Sequence, residues 1–123
     1  MSTRVLVIDD EPSIRVLVRM VLEEDGYTVL EAANGEKGLD VAEQESPHLV
    51  LLDIRLPGID GWEVLRRLRD REPPPVVVMM SAHSSEPTLR RAEREGSSGY
   101  LIKPFRHVEL LEIVATGTAR FQP

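Results

Sequence analysis

Residues 5–12 read VLVIDDEP, and this stretch largely decides the fold. Four consecutive apolar residues precede three acidic residues and a proline that suits the first turn of a helix. An apolar run without alternation, rich in β-branched residues, predicts a strand buried on both faces, as in a parallel sheet covered by helices. The stretch therefore predicts a strand, an acidic turn and a helix in immediate succession.

The same order of strand and helix recurs along the chain. Further apolar runs occupy residues 29–30, 49–52, 76–80 and 100–102. Segments with helix-start signals or helical spacing follow the five runs, beginning at Pro12, Asn34, Asp60, about Thr88 and about Arg106. Five alternating units predict an α/β fold with a doubly wound parallel sheet, right-handed crossovers and helices on both faces.

Apolar spacing also predicts which helix faces are buried. In the fourth helix, expected to end near Glu95, only Leu89 and Ala92 suit a core position. In the fifth helix, expected to end near residue 119, Val108, Leu111 and Ala115 have helical spacing and are predicted to face the core.

Length and composition exclude several classes of protein. The 123 residues suit one domain, which we expect to span residues 1–123 with its core between about 4 and 119. The absence of cysteine excludes disulfides, thiolate metal sites and a cysteine nucleophile. A net charge of −6 argues against direct nucleic-acid binding, and no apolar run approaches the roughly 18 residues that a membrane span needs. We therefore expect a cytoplasmic protein that does not bind membranes.

Polar side chains follow four of the five predicted strands. Asp9 and Asp10 follow the first strand, Asp53 the third, Ser81 the fourth and Lys103 the fifth. Because ligands of open α/β sheets bind at the carboxyl ends of the strands, we expect these side chains to meet in one site.

The chemistry of such a site can be narrowed from the residue types. Clustered carboxylates without histidine or cysteine favour a hard cation, Mg²⁺ or Mn²⁺, which would also relieve their mutual repulsion. Once a cation neutralises the site, one carboxylate can attack an electrophilic phosphorus to form an acyl phosphate. Asp53, alone after the central strand, suits the nucleophile, whereas Asp9 and Asp10 suit metal ligands. Ser81 and Lys103 are then suited to hold phosphoryl oxygens.

Four motifs, in order along the chain, carry a resemblance to a known family. They are Asp9-Asp10-Glu11, residues 51–61 (LLDIRLPGIDG), Ser81-Ala82-His83 and Lys103-Pro104-Phe105. Over about residues 4–119 the chain resembles the receiver domain of two-component response regulators. The resemblance implies a flavodoxin-like sheet of five strands in the order 2-1-3-4-5.

The resemblance also implies roles for individual residues. Asp53 would accept a phosphoryl group from a sensor histidine kinase or a phosphotransfer protein. Asp9, Asp10 and Asp53 would bind Mg²⁺, with the backbone carbonyl of Arg55 as a further ligand. Such a domain catalyses its own phosphorylation and dephosphorylation and is not a conventional enzyme.

Further implied roles concern the switch. Ser81 would turn toward the phosphoryl group, Lys103 would contact its oxygens, and Tyr100 would be the aromatic residue whose rotamer follows Ser81. A cis peptide bond between Lys103 and Pro104 would aim Lys103 into the site.

Arg55 and His83 follow Asp53 and Ser81 by two residues and would flank the path of the hydrolytic water. Arg55 can shield the phosphoryl group and His83 can position water, so the lifetime of the phosphorylated state stays open.

The output would pass through the fourth helix, fifth strand and fifth helix to a partner or an attached effector domain. A phosphorylation-dependent homodimer is left open as well.

Three other functions compete with this interpretation. A receiver-like module that binds proteins without phosphorylation is the alternative, although every motif position is intact. An aspartyl-phosphate phosphatase of the haloacid dehalogenase type requires an aspartate two residues after its nucleophile, where this chain has Arg55. A flavin-binding domain is disfavoured because no Ser/Thr/Gly-rich phosphate loop follows the first strand.

Overall fold

Strands and helices alternate throughout the structure, a computed structural model that describes residues 2–83 and 85–121. The elements in chain order are β1 (Arg4–Ile8), α1 (Pro12–Glu24), β2 (Thr28–Ala32), α2 (Gly35–Glu45), β3 (Leu49–Asp53), α3 (Gly61–Arg69), β4 (Val76–Ser81), α4 (Glu86–Arg94), β5 (Gly99–Ile102) and α5 (His107–Thr118). A short 3₁₀ turn, Ala119–Phe121, follows α5. No helix within the described ranges is both long and apolar enough to cross a membrane.

All five strands are parallel and lie in the order β2-β1-β3-β4-β5, which confirms the predicted fold. The register pairs Ile8 of β1 with Leu52 of β3, and Ser81 of β4 with Ile102 of β5. Residues that directly follow these strands are therefore neighbours at one edge of the sheet. The chain reverses its direction of winding after β2, which places β1 and β3 at the switch point where ligands bind in such sheets.

The sheet separates two apolar cores. Leu49 and Leu51 of β3 face the core covered by α1 and α5, whereas Val50 and Leu52 face the core covered by α2, α3 and α4. All four side chains are fully buried, so β3 has no polar face. Full burial of each such side chain contributes about 1.5–3 kcal/mol relative to exposure, which explains the uninterrupted apolar run.

Asparagine and aspartate cap two of the helices at the predicted positions. The Asn34 side chain accepts a hydrogen bond from the backbone N–H of Lys37, and Asp60 accepts one from that of Glu63. The Glu63 side chain binds Arg66 and Arg67 rather than completing a capping box with the residue at the helix start.

The structure corrects the predicted start of α4 and part of the predicted buried face of α5. Helix α4 begins at Glu86, two residues earlier than predicted. Its first turn can include Pro87, because backbone N–H groups in the first turn of a helix have no helical carbonyl as a partner and the missing N–H of proline therefore breaks no hydrogen bond. In α5 the buried residues are Leu110, Val114 and Thr118. Leu111 packs against the core as predicted, whereas Val108 is 46% exposed and residue 115 is exposed too. The Thr118 hydroxyl donates to the Val114 carbonyl, so a polar residue can face the core.

One close backbone contact fixes the start of α3 against the end of β3. The N–H of Gly61 donates to the carbonyl of Ile54, at 2.9 Å. A Cβ atom at residue 61 would overlap the carbonyl oxygen of Asp53 and lie 2.7 Å from Cα of Ile54. Glycine is required here because the neighbouring atoms belong to backbone that cannot rotate away.

We expect Gly61→Ala to lower the free energy of unfolding by about 1–3 kcal/mol, because the added methyl group must displace backbone. Gly35→Ala is the matched control, since Gly35 is likewise the first residue of a helix behind a capping side chain. A Cβ there meets only the side chains of Ile59 and Val64, so we expect a smaller loss. Urea unfolding of both variants measures the difference, and equal losses would contradict the backbone contact.

His48 lies at the opposite end of the sheet from the acidic residues. Its Nδ1 accepts a hydrogen bond from the backbone N–H of Arg4, at 3.0 Å. His48 lines a cavity of about 550 Å³, whose lining also includes Arg71, Glu72 and Arg120. Burial, and secondarily the positive charge of Arg4, lower the pKa of His48 below its usual 6.5.

The lowered pKa of His48 predicts a pH-dependent stability. At pH values between the pKa of His48 in the folded chain and 6.5, the unfolded chain binds more protons than the folded chain. The contribution of neutral His48 to the free energy of unfolding is therefore complete above pH 6.5 and is lost as the pH falls below it. We expect the stability of the native chain to decrease more steeply from about pH 7.5 to 5.5 than that of His48→Asn, whose amide oxygen can replace Nδ1 as the acceptor. Urea midpoints across this range measure the two slopes, and identical slopes would refute the assignment.

Candidate functional site

The structure brings the five predicted site residues together at the carboxyl edge of the sheet. Asp9 and Asp53 are buried at the ends of β1 and β3, and Ser81 is buried at the end of β4. Asp10 is exposed beside them, and Lys103 follows β5. The shared edge arises because all five strands run in the same direction, so their ends coincide.

Lys103 connects the acidic residues. Its Nζ atom lies 2.7 Å from Oδ2 of Asp9 and 3.0 Å from Oδ2 of Asp53. The Oε1 atom of Glu11 lies 3.2 Å away. Burial lowers the pKa of Lys103, but its close interactions with the carboxylates of Asp9 and Asp53 outweigh this effect, so the pKa is raised. The ammonium group therefore stays protonated at any physiological pH.

The backbone around Lys103 is held in place on both sides. Its N–H donates to the carbonyl oxygen of Ser81, at 2.9 Å. The Lys103–Pro104 peptide bond is cis, and Phe105, immediately after it, is buried in the core beneath α1 and α5. These contacts direct the lysine side chain across the edge of the sheet.

Asp9 is fully buried, and one of its oxygens is left without a hydrogen bond. Oδ1 accepts a hydrogen bond from the backbone N–H of Glu11, at 2.9 Å. Oδ2 lies at ion-pair distance from Lys103, yet it receives no hydrogen bond from the described residues. Burial raises the pKa of Asp9, and the interaction with Lys103 offsets this only in part. Such a buried, unsatisfied carboxylate oxygen fits a metal ligand.

The carboxylates of Asp9, Asp10 and Asp53 can converge on a single cation. One oxygen from each lies within 4.8 Å of the others. Oxygen donors of this kind suit Mg²⁺ or Mn²⁺. The N–H of Arg55 donates to Oδ1 of Asp53, at 3.0 Å, which holds this carboxylate and brings the Arg55 backbone to the edge of the cluster. The Arg55 carbonyl remains a predicted ligand.

Ser81, His83 and Tyr100 form a connected group beside the cluster. The N–H of His83 donates to Oγ of Ser81 at 3.0 Å, and the hydroxyl of Tyr100 donates to the His83 carbonyl at 2.6 Å. Burial raises the pKa of Tyr100. Tyr100 thus contacts the backbone two residues after Ser81. Its role as a switch residue stays a prediction.

The side chains of Arg55 and His83 are exposed at the mouth of the site. Both line the cavity of about 350 Å³ that contains Asp53, Ser81 and Lys103. Their effect on the lifetime of a phosphorylated state stays a prediction.

Sequence reasoning missed one residue that positions the site. Arg15 of α1 donates from Nη1 to the backbone carbonyl of Asp9, at 2.7 Å, while its Nε pairs with Glu31 of β2 at 3.1 Å. Its position one turn after the acidic stretch is the only signal that could have indicated this role.

Comparison with known proteins agrees with the geometry. Residues 5–115 match the sequence model of the response regulator receiver domain. The chain is 46% identical over 111 residues to the positive alginate biosynthesis regulatory protein of Pseudomonas aeruginosa, covering 88% of this chain but 44% of that protein. It is 34% identical over 114 residues to sporulation initiation phosphotransferase F of Bacillus subtilis, covering 93% of this chain and 92% of that protein. The chain thus spans less than half the length of the first relative and nearly all of the second.

Solved structures show the same fold. A CheY-like response regulator receiver domain protein from Methanospirillum hungatei JF-1 superposes with a TM-score of 0.91 at 29% identity, covering 98% of this chain and 96% of that one. The receiver domain of NtrX from Brucella abortus gives a TM-score of 0.87 at 32% identity, covering 94% and 98%. The strand order, the acidic cluster at the switch point and these matches lead to one conclusion. The chain belongs to the family of response regulator receiver domains, which function in two-component signalling.

Proposed function

We propose that this chain is a phosphorylation-dependent switch that accepts a phosphoryl group on Asp53 from a sensor histidine kinase or a phosphotransfer protein. The observation that carries the proposal is the position of Asp53. Its carboxylate is buried at the end of the central strand, 3.0 Å from the Lys103 ammonium and within 4.8 Å of ligand oxygens of Asp9 and Asp10. Members of this family are not conventional enzymes, and we propose that the domain, with its core at about residues 4–119, catalyses its own modification.

Charge balance supports a metal ion in this site. Around the ammonium of Lys103 lie the carboxylates of Asp9, Asp53 and Glu11, with Asp10 adjacent. One positive charge does not neutralise four negative ones, and like charges at this separation repel strongly. We assign Mg²⁺, or Mn²⁺, to Asp9, Asp10, Asp53 and the Arg55 carbonyl. When bound, the cation would lower the negative charge and draw phosphoryl oxygens to the site.

Asp53 can then act as the nucleophile. Its Oδ1 is held by the N–H of Arg55, and its Oδ2 faces Lys103. In the transfer, a carboxylate oxygen forms a bond to phosphorus while the bond from phosphorus to the donor breaks, and the donor keeps the electron pair. Lys103 would exchange its contact with Asp53 for one with a phosphoryl oxygen, which compensates the added negative charge. Later attack of water on phosphorus would break its bond to the Asp53 oxygen, which restores the carboxylate and releases inorganic phosphate. We propose that Arg55 and His83 tune the rate of this step.

The output depends on the group formed by Ser81, His83 and Tyr100. In this structure the Ser81 hydroxyl accepts a hydrogen bond from the N–H of His83. We propose that this hydrogen bond breaks when the Ser81 side chain rotates toward a phosphoryl oxygen. Tyr100 is bound to the carbonyl of the same residue, so a shift there reaches β5 directly. We propose that α4, β5 and α5 present this change to a partner, an attached effector domain or a second copy of the chain.

Magnesium is expected to stabilise the folded chain, because the carboxylates converge only in the native state. With free Mg²⁺ at ten times its Kd, binding adds about 1.4 kcal/mol and raises the Tm by several degrees. Asp10→Asn should abolish this increase. Asp40→Asn is the matched control, since Asp40 is an exposed aspartate of α2 outside the cluster, and it should retain the full increase. Thermal unfolding with Mg²⁺ and with EDTA measures the effect, and an equal increase in the Asp10→Asn variant would contradict the site.

Phosphorylation is expected to require both Asp53 and the cation. Intact-mass measurement after incubation with acetyl phosphate and Mg²⁺ should show the gain of one phosphoryl group in the native chain and in the Asp40→Asn control. We expect no gain for Asp53→Asn, which lacks the nucleophile, nor for the native chain in EDTA. A native chain that neither gains mass nor binds beryllofluoride would contradict the proposal and favour a receiver-like module that binds proteins without phosphorylation.

A further inference from the structure

A second cavity, with a volume of about 560 Å³, lies directly beside the phosphoacceptor site. It is bordered by the loop after β3, the start of α3 and helix α4. We call it the α3–α4 groove and define it by Arg55, Trp62, His83, Arg91 and Arg94. Ser81, together with Arg55 and His83, lines both this groove and the phosphoacceptor cavity. The two cavities therefore share a wall.

The groove concentrates positive charge in an acidic protein. The chain has 21 acidic residues against 15 lysines and arginines. Within the described residues, however, the lining of the groove includes three arginines and neither aspartate nor glutamate. A cluster of arginines on an otherwise acidic protein raises the local concentration of anions and favours an anionic ligand.

The three arginines of the groove differ in their ion pairs. Arg91 pairs with Glu95 at 2.6 Å and lies over the ring of Trp62, with its Cζ atom 4.1 Å from the ring centre. For Arg55 and Arg94, by contrast, the described part of the chain provides no ion pair. A guanidinium presents several N–H donors in a plane and binds carboxylates through two parallel hydrogen bonds. Arg55 and Arg94 are therefore available for carboxylates from another molecule.

The groove fits an acidic protein segment better than a nucleic acid. Binding of single-stranded nucleic acid uses exposed aromatic faces on which bases stack. Trp62, the only tryptophan of the chain, is largely buried, and Arg91 lies over its ring. The net charge of −6 also repels an extended polyanion, whereas a few carboxylates can enter a local positive site.

We propose that the α3–α4 groove is a docking site for an acidic segment of a partner protein, whose carboxylates pair with Arg55 and Arg94. The segment binds the unphosphorylated chain more tightly, because a phosphoryl group on Asp53 would add negative charge behind the shared wall and attract Arg55 toward it. By linkage, an occupied groove disfavours phosphorylation to the same extent. Docking does not depend on the proposed function, whereas this coupling rests on it.

The docking site can be tested with a hexaglutamate peptide. Because Trp62 borders the groove and is the only tryptophan, its intrinsic fluorescence reports binding there. At low ionic strength we expect a saturable fluorescence change with the native chain. Arg94→Glu should weaken the affinity by about tenfold or more, and Arg94→Gln should weaken it less. Circular dichroism verifies that the variants are folded.

The matched control is Arg90→Glu. Arg90 lies on the same helix, is exposed and pairs with Glu86 at 3.2 Å, but it does not line the groove. The same change of charge there should alter the affinity by less than about twofold. Equal losses for the two reversals, or equal binding of hexaglutamine, would overturn the proposal. So would an absence of binding, or tighter binding of hexadeoxythymidylate that Arg94→Glu abolishes.

The coupling is tested by repeating the titration after incubation with acetyl phosphate and Mg²⁺, with phosphorylation verified by intact mass. We expect the affinity for hexaglutamate to fall at least about threefold, since the added charge is screened by solvent. An unchanged or increased affinity would overturn the coupling. If the mass shows no phosphoryl group, the proposed function fails, while docking is judged from the titration of the unmodified chain.

Discussion

The ammonium group of Lys103, held between the carboxylates of Asp9 and Asp53, is the contact on which the site depends. It lies 2.7 Å from one carboxylate and 3.0 Å from the other, in a place where two acidic groups are almost fully buried. Without this positive charge, burial would leave two carboxylates facing each other at high energetic cost. One ammonium only partly neutralises the cluster, and Oδ2 of Asp9 still receives no hydrogen bond from the described residues. The site is thus stable enough to form and still suited to a cation.

The rest of the fold holds these groups at their positions. Both faces of β3 are buried in apolar cores, so Asp53 cannot move along the sheet without exposing leucine and valine side chains. Gly61 packs against the backbone at the end of the same strand, and Arg15 binds the backbone carbonyl of Asp9. The polar site is therefore attached to a fully buried strand and to backbone held by close contacts. Ala82 and His83, which follow Ser81, are exposed at the mouth of the site.

Opposite charges lie side by side on this face of the protein. The carboxylates of the cluster face one cavity, and the arginines of the α3–α4 groove face the next, with Arg55 at the boundary. Arg55, Ser81 and His83 line both cavities, so a change of charge at Asp53 acts on groups that also border the groove. Under the proposals made above, the chemistry at Asp53 and the recognition of an acidic partner are linked through the same side chains, without a movement of the sheet.

The sequence alone was sufficient for the local features and for the meeting of Asp9, Asp53, Ser81 and Lys103. Unbroken apolar runs require strands that are buried on both faces, and such strands are parallel. Parallel strands bring their carboxyl ends to one edge of the sheet, so the short-range pattern of the sequence is enough to predict that these four side chains meet. The buried face of α5 followed only in part. Leu111 packs against the core as predicted, but two sets of residues in this helix have helical spacing, and only contact with the sheet selects Leu110 and Val114. The interaction of Tyr100 with His83 and the basic lining of the α3–α4 groove also required the tertiary structure. They join residues from separate elements whose distances no local spacing encodes, and only packing of the helices against the twisted sheet sets those distances.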